Sequence, residues 1–226
     1  MEGRRIFPKG EYSSLGSPRE IASEIGPYTD LQLLRVVILA YKMLYDERIV
    51  DRSWPEDKIT RELCVRIAVH TQKNSVNAIP LHQYPIFPKT MKRGKPPTVD
   101  FVFRRGYEES SYLAFECKIV DDAKDRSIQE YIGQGLMRFL SGKYARDEKI
   151  AGMIAYLINS EITSCVLKIN EQIKQNVGDS NCLVKSSVVF DYDGVYQSNH
   201  KKPPVNTLFL IYHIFMTFNT RAELHN

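Results

Sequence analysis

The chain lacks any CxxC pair. Its four cysteines, Cys64, Cys117, Cys165 and Cys182, lie far apart, which suggests neither a zinc site nor a disulfide scaffold and fits reduced thiols. No glycine-rich phosphate loop, serine-nucleophile motif or dinucleotide fingerprint occurs, so nucleotide-cofactor and serine-hydrolase chemistry find no support. A large excess of charge of either sign is also lacking. The net charge is only +4, so no overall basic field announces a nucleic-acid partner, and any such case rests on local clusters. The longest apolar region, "LQLLRVVILAYKMLY", is broken by Arg35 and Lys42; it is too short to span a bilayer and reads as a buried helix. The first twenty residues carry no continuous apolar core of a signal peptide. The expectation is a cytoplasmic protein with no membrane partner.

What is present is ordinary globular composition, 43% hydrophobic and 26% charged residues in 226, enough for one sizeable core. Residues 1–28, rich in Gly, Ser and Pro, read as a surface segment, with "SPRE" able to cap a short helix. Residues 29–226 read as a single domain. Thr29 or Asp30 can N-cap a helix to about Asp46 that is apolar on most of its circumference, hence deep or against a second subunit. A second helix starts near Trp54-Pro55, with Ile59, Leu63, Ile67 and His70 on one stripe. The period then changes. "LHQYPIFP" (81–88), "TVDFVFR" (98–104) and "SYLAFECKIV" (111–120) read as successive strands. A helix from Asp125 ending near Gly142, a buried strand (150–158) and a helix over "SEITSCVLKINEQIKQ" follow. Two strands, near 183–192 and 205–218, flank a polar loop "SNHKKPP". The order predicts an α/β fold: a mixed sheet with helices against it.

One strand carries the chemistry. In "SYLAFECKIV", Leu113, Phe115, Cys117 and Ile119 share one face, and Ala114, Glu116, Lys118 and Val120 the other. Both faces are apolar around Glu116, where an unpaired carboxylate costs several kcal/mol. In "TVDFVFR", Val99, Phe101 and Phe103 face one way, and Asp100 sits with Val102 on the other. If the two strands pair as a hairpin, Asp100 lies beside Glu116. Two adjacent carboxylates repel, and a divalent cation with hard oxygen ligands, Mg²⁺, relieves that. Lys118, one pleat further along the same face, can orient a metal-bound water or stabilise an attacked phosphate. Acid-any-Lys also occurs at Glu56, Asp122 and Asp147, but in polar surroundings that read as solvated helix or loop ends.

"PPTVDFVF" followed by "LAFECK", between an upstream and a downstream helix, resembles the PD-(D/E)xK nuclease superfamily, the restriction-endonuclease-like fold. The resemblance covers about residues 55–160. It implies an α-β-β-β-α-β core, here with an extra N-terminal helix and a C-terminal β-hairpin. It implies Asp100 and Glu116 as metal ligands and Lys118 as the catalytic lysine. Gln134 on the following helix and Glu62 on the first core helix are the matches for further site residues. Thr98-Val99 stand where the strict motif has a proline before the aspartate. The implied activity is Mg²⁺-dependent phosphodiester hydrolysis in DNA, with Mn²⁺ a possible substitute. The style of the segment is similar to small nuclease subunits of bacterial anti-phage defence systems, which implies an effector with a homo-oligomeric or sensor/ATPase partner. Lys92, Arg93, Lys95, Arg104 and Arg138 would suit phosphate contacts.

Plainer readings stand beside these. Glu62 has Lys58 and Arg66 at helical i±4 spacing and can belong to a surface salt-bridge ladder. Gln134 can be a surface amide. The whole chain can be a non-catalytic nucleic-acid- or protein-binding domain that keeps the nuclease fold. His213, within "TLFLIYHIFMTF", reads as a satisfied core histidine.

Overall fold

In the computed structural model the residues described are 18–73, 79–87, 94–104, 112–188, 192–202 and 207–218, with no side chains described for 18–29 and 73. Helix α1 (Pro18–Glu47) is longer than its sequence suggests: it begins ahead of Thr29 and Asp30, which are internal positions and not its cap. Its apolar circumference finds cover within the chain, with Leu33, Leu34, Val37, Ile38 and Leu44 at 1% exposure or less. Helix α2 (Glu56–Lys73) starts directly after Pro55, whose fixed φ suits a first turn. Ile59, Leu63 and Ile67, spaced by four, form its fully buried stripe.

Seven strands form one mixed sheet in the order β1-β2-β3-β4-β7-β6-β5. They are β1 (Pro80–Pro85), β2 (Thr98–Arg104), β3 (Tyr112–Val120), β4 (Ile150–Leu157), β5 (Val184–Lys185), β6 (Val195–Lys202) and β7 (Thr207–Thr217). β1, β2 and β3 pair antiparallel; β4 lies parallel to both β3 and β7. The β3-to-β4 crossover carries an unbroken helical stretch: α3 (Asp125–Glu130), a π-helical turn (Tyr131–Leu136) and α4 (Met137–Leu140). α5 (Ile162–Asn176) follows β4.

The core is two apolar layers, one on each sheet face. α1 and α2 pack with Phe101, Phe103, Phe115, Cys117, Ile154 and Tyr156. The crossover helices and α5 pack with Val102, Ala114, Met153, Ala155 and Phe215. β3 thus alternates faces as its sequence predicts and is covered on both sides, which explains its near-continuous apolar run. Within the first layer Phe101 and Phe115 stack at 4.7 Å. The Phe115 ring lies so close over Gly152 that any Cβ there would meet it at 2.2 Å.

Three further expectations fail. Strict alternation in β2 breaks at Asp100, because Val99 packs in the layer of Val102 and not with Phe101 and Phe103. "SNHKK" is not a loop: it belongs to β6, paired along its length with β7. The polarity of the segment misleads because Ser198, His200 and Lys202 are 3% exposed or less and bond internally. The Ser198 hydroxyl meets Nε2 of both His200 and His213, and Lys202 Nζ donates to the carbonyls of Ala145 and Glu148. Of the strand expected near 183–192, the described residues show only the two of β5, and 189–191 lie outside the described residues. No helix among the described residues is long and apolar enough to cross a membrane.

Candidate functional site

β2 and β3 are joined through four residue pairs, the last being Phe101 with Phe115. Beyond it their ladder stops, and backbone N–H groups on β3 need other acceptors. Two carboxylates supply them. Asp100 Oδ2 accepts from the Cys117 N–H at 2.6 Å, and Glu56 Oε2, from the first turn of α2, accepts from the Ile119 N–H at 3.1 Å. Asp100 leaves the regular β2 pattern in order to do this. Opposite it on β1, Gln83 adopts φ +52°, so the irregularity involves both strands.

Into this opening the Lys118 side chain folds. Its Nζ lies 2.8 Å from Glu56 Oε1, 3.2 Å from Glu116 Oε1 and 3.8 Å from Asp100 Oδ2, and it donates to the Cys117 carbonyl. Glu116 is 1% exposed. Its Oε1 also accepts from Arg138 Nη1 at 3.1 Å, while its Oε2 is buried with no hydrogen-bond partner. Arg138 in turn donates to Tyr144 Oη at 2.9 Å and to Gln134 Oε1 at 2.6 Å, and Tyr144 donates to the Thr98 carbonyl. The crossover helix packs down on this group at Gly135, where a side chain would run into Met153 and touch the Lys118 stem.

Burial, and then the neighbouring Asp100 carboxylate, push Glu116 up to about 8. Burial raises Asp100 and Glu56 as well, against the pull of Lys118. Burial alone would lower Lys118, but Asp100, Glu116 and Glu56 outweigh it and keep the ammonium charged. The partners therefore disagree: Lys118 is held ionised, while Glu116, touching it, still favours a proton. Three carboxylates around one ammonium and one guanidinium account for both directions.

Asp100, Glu116 and Lys118, expected together from the sequence, do converge. Gln134 is exposed on the crossover helix and reaches the cluster only through Arg138. Arg138, expected among the phosphate contacts, is engaged with Glu116. Glu62 lies apart from them. It sits more than one turn further along α2 than Glu56 and pairs with Arg66 at 3.0 Å, and Arg66 also binds Glu47. The helix does contribute an acid, but from its first turn: Glu56. Reading Glu56-Asp57-Lys58 as a solvated helix start missed it, since only the packing of α2 across the β2–β3 opening turns that residue inward. Lys95 is exposed just ahead of β2 and Arg104 closes β2, half-buried; Lys92 and Arg93 lie outside the described residues.

For a divalent cation, the oxygens to be considered are Asp100, Glu116 and the Cys117 carbonyl. The unpartnered Glu116 Oε2 and the repulsion between the two acids fit such an ion. Among the described residues, no group of three or more His, Cys, Asp or Glu stands arranged to hold a metal, and Lys118 lies among the acids instead. His213, fully buried, is bound at Nδ1 by Tyr131 and at Nε2 by Ser198, both at 2.8 Å, a satisfied core histidine as its sequence setting predicts. Comparison with family models, with curated proteins and with solved structures finds no match for this chain.

Proposed function

We propose that this chain is a divalent-metal-dependent nuclease of restriction-endonuclease-like fold, acting on phosphodiester bonds in DNA. The observation that carries the reading is the meeting of Asp100, Glu116 and Lys118 where β2 and β3 part, on a core whose order runs helix, three strands, helix, strand. Asp100 and Glu116 would hold Mg²⁺ or Mn²⁺. Such an ion polarises a phosphate oxygen and makes its bound water a nucleophile near neutral pH. Lys118 would orient that water and meet the charge that builds on the phosphate. Arg138 steers the Glu116 carboxylate, and Gln134 steers Arg138. Lys95, just ahead of the Asp100 strand, and Arg104, its last residue, are the proposed phosphate contacts.

An effector role in a bacterial defence system, switched on by a sensor subunit, remains part of this proposal by resemblance. Much of the apolar surface described for α1 and β7 packs in the chain's own core. The alternative reading, a non-catalytic binding domain that keeps the fold, draws support from Lys118 and Arg138 already neutralising the acids.

Cleavage of plasmid and linear DNA is the test, run with Mg²⁺, with Mn²⁺ and with EDTA. The native chain should cut in metal and stop in EDTA, and Glu116→Ala and Lys118→Ala should be inactive. Equal behaviour of native and variant proteins, with binding to DNA that survives EDTA, would establish the non-catalytic reading instead.

A further inference from the structure

We infer that the Lys118 ammonium is the resident counter-ion of the carboxylate cluster, that a divalent cation enters by displacing it, and that Glu56 is the positioning residue that receives it. This rests on the reading of Asp100 and Glu116 as metal ligands.

The distances order the contacts. Lys118 Nζ is closest to Glu56, at 2.8 Å, next to Glu116, at 3.2 Å, and farthest from Asp100, at 3.8 Å. It also donates to the Cys117 carbonyl. The ammonium therefore bonds or faces each of the three groups that a cation between β2 and β3 would use, Asp100, Glu116 and the Cys117 carbonyl, and a second positive charge there is repelled. One acid in the ring, Glu56, lies outside that set. It comes from α2 rather than from the sheet, and its second oxygen is committed to the Ile119 N–H at 3.1 Å. That bond fixes the carboxylate beside β3 whichever cation occupies the sheet acids. Leaving Glu116 and Asp100 does not strand the ammonium, because Glu56 remains beside it.

Two alternatives are weaker. If Glu56 were itself a metal ligand, it would bind through Oε1 and give up Lys118, leaving the displaced ammonium no carboxylate of its own. If Lys118 served only as structural glue, the buried and unpartnered Glu116 Oε2 would have no use.

Mn²⁺ binding, read from the loss of the free-ion resonance or by calorimetry without DNA, separates these cases. Lys118→Met should bind Mn²⁺ about tenfold more tightly than the native chain, or better, because the competing charge is gone. Glu56→Gln should bind several-fold more weakly, because the displaced ammonium has lost its charged acceptor. In the Lys118→Met background, Glu56→Gln should change nothing, since its effect runs through the lysine. Native-like or weaker binding by Lys118→Met overturns the displacement. A Glu56→Gln loss that persists without the lysine overturns the positioning role and makes Glu56 a ligand. Should Lys118→Met fail to fold, Glu56→Gln decides by itself, and undiminished Mn²⁺ binding overturns the inference. Binding by native protein no better than by Asp100→Asn/Glu116→Gln would take down the metal-site reading, and this inference with it.

Discussion

Asp100 and Cys117 are joined by a side-chain-to-backbone bond of 2.6 Å, Oδ2 accepting from the N–H. It stands where a ladder hydrogen bond between β2 and β3 would otherwise be, just past the Phe101–Phe115 pair. One carboxylate thus both closes the end of a strand pair and presents its charge to Lys118 and Glu116.

Those two duties separate by substitution. Asp100→Asn keeps an oxygen for the Cys117 N–H and removes the charge, so its melting temperature should stay within about 3 °C of native. DNA cleavage should fall about a hundredfold or more. Asp100→Ala leaves the N–H without its acceptor and should lose a further ~1–3 kcal/mol of stability. Thermal melts beside a cleavage assay measure both.

Glu116 makes stability depend on pH in an unusual direction. Its carboxyl titrates at about 8 in the folded chain against an ordinary 4.5, so the folded state binds the proton more tightly. This group's contribution therefore declines as pH rises from 4.5 to about 8 and levels off above. Glu116→Gln should flatten the stability profile across that window in urea melts at stepped pH. A native profile that rises from pH 5 to 8, unchanged in the variant, would contradict the assigned burial of this acid.

Glu62 should prove dispensable. Its partner is Arg66 on the same helix, with Glu47 sharing that guanidinium, and partly exposed pairs of this kind contribute ~0–1 kcal/mol. Glu62→Ala is expected to cleave DNA at the native rate and to melt within a few degrees of it.

His213 gives an acid limb. Burial, with His200 adding to it, lowers its pKa to about 3 from the usual 6.5, and burial brings His200 to about 4. Both rings are neutral when folded, and the unfolded chain takes up protons first. Their contribution is whole above pH 6.5 and is lost as pH falls toward 3. His213→Gln should shallow that loss while costing about 1–3 kcal/mol at neutral pH, since Tyr131 and Ser198 lose their shared partner. Stepped-pH melts below 6.5 read both effects.

Local patterns made much of the architecture legible in advance. The change from a four-residue stripe in α2 to two-residue alternation in β3 separates helix from sheet, and Thr98–Arg104 is read to the residue. The same alternation places Glu116 and Lys118 on one face, and the carboxylate in "TVDFVFR" marks its neighbour. Where prediction failed, polar residues were involved. Ser198, His200 and Lys202 look like a loop because their partners, His213 and the carbonyls of Ala145 and Glu148, are distant in sequence.

By itself the sequence determined the alternation of helix and strand, the burial of β3 on both faces and the identity of three charged groups that had to find one another. Only the tertiary structure decided which helix acid joins them. Periodicity reports which side of an element a residue occupies, but not where the end of that element lands. Glu56 reaches Lys118 and Ile119 because α2 packs across the place where β2 and β3 separate, while Glu62, further along the same helix, is left to Arg66.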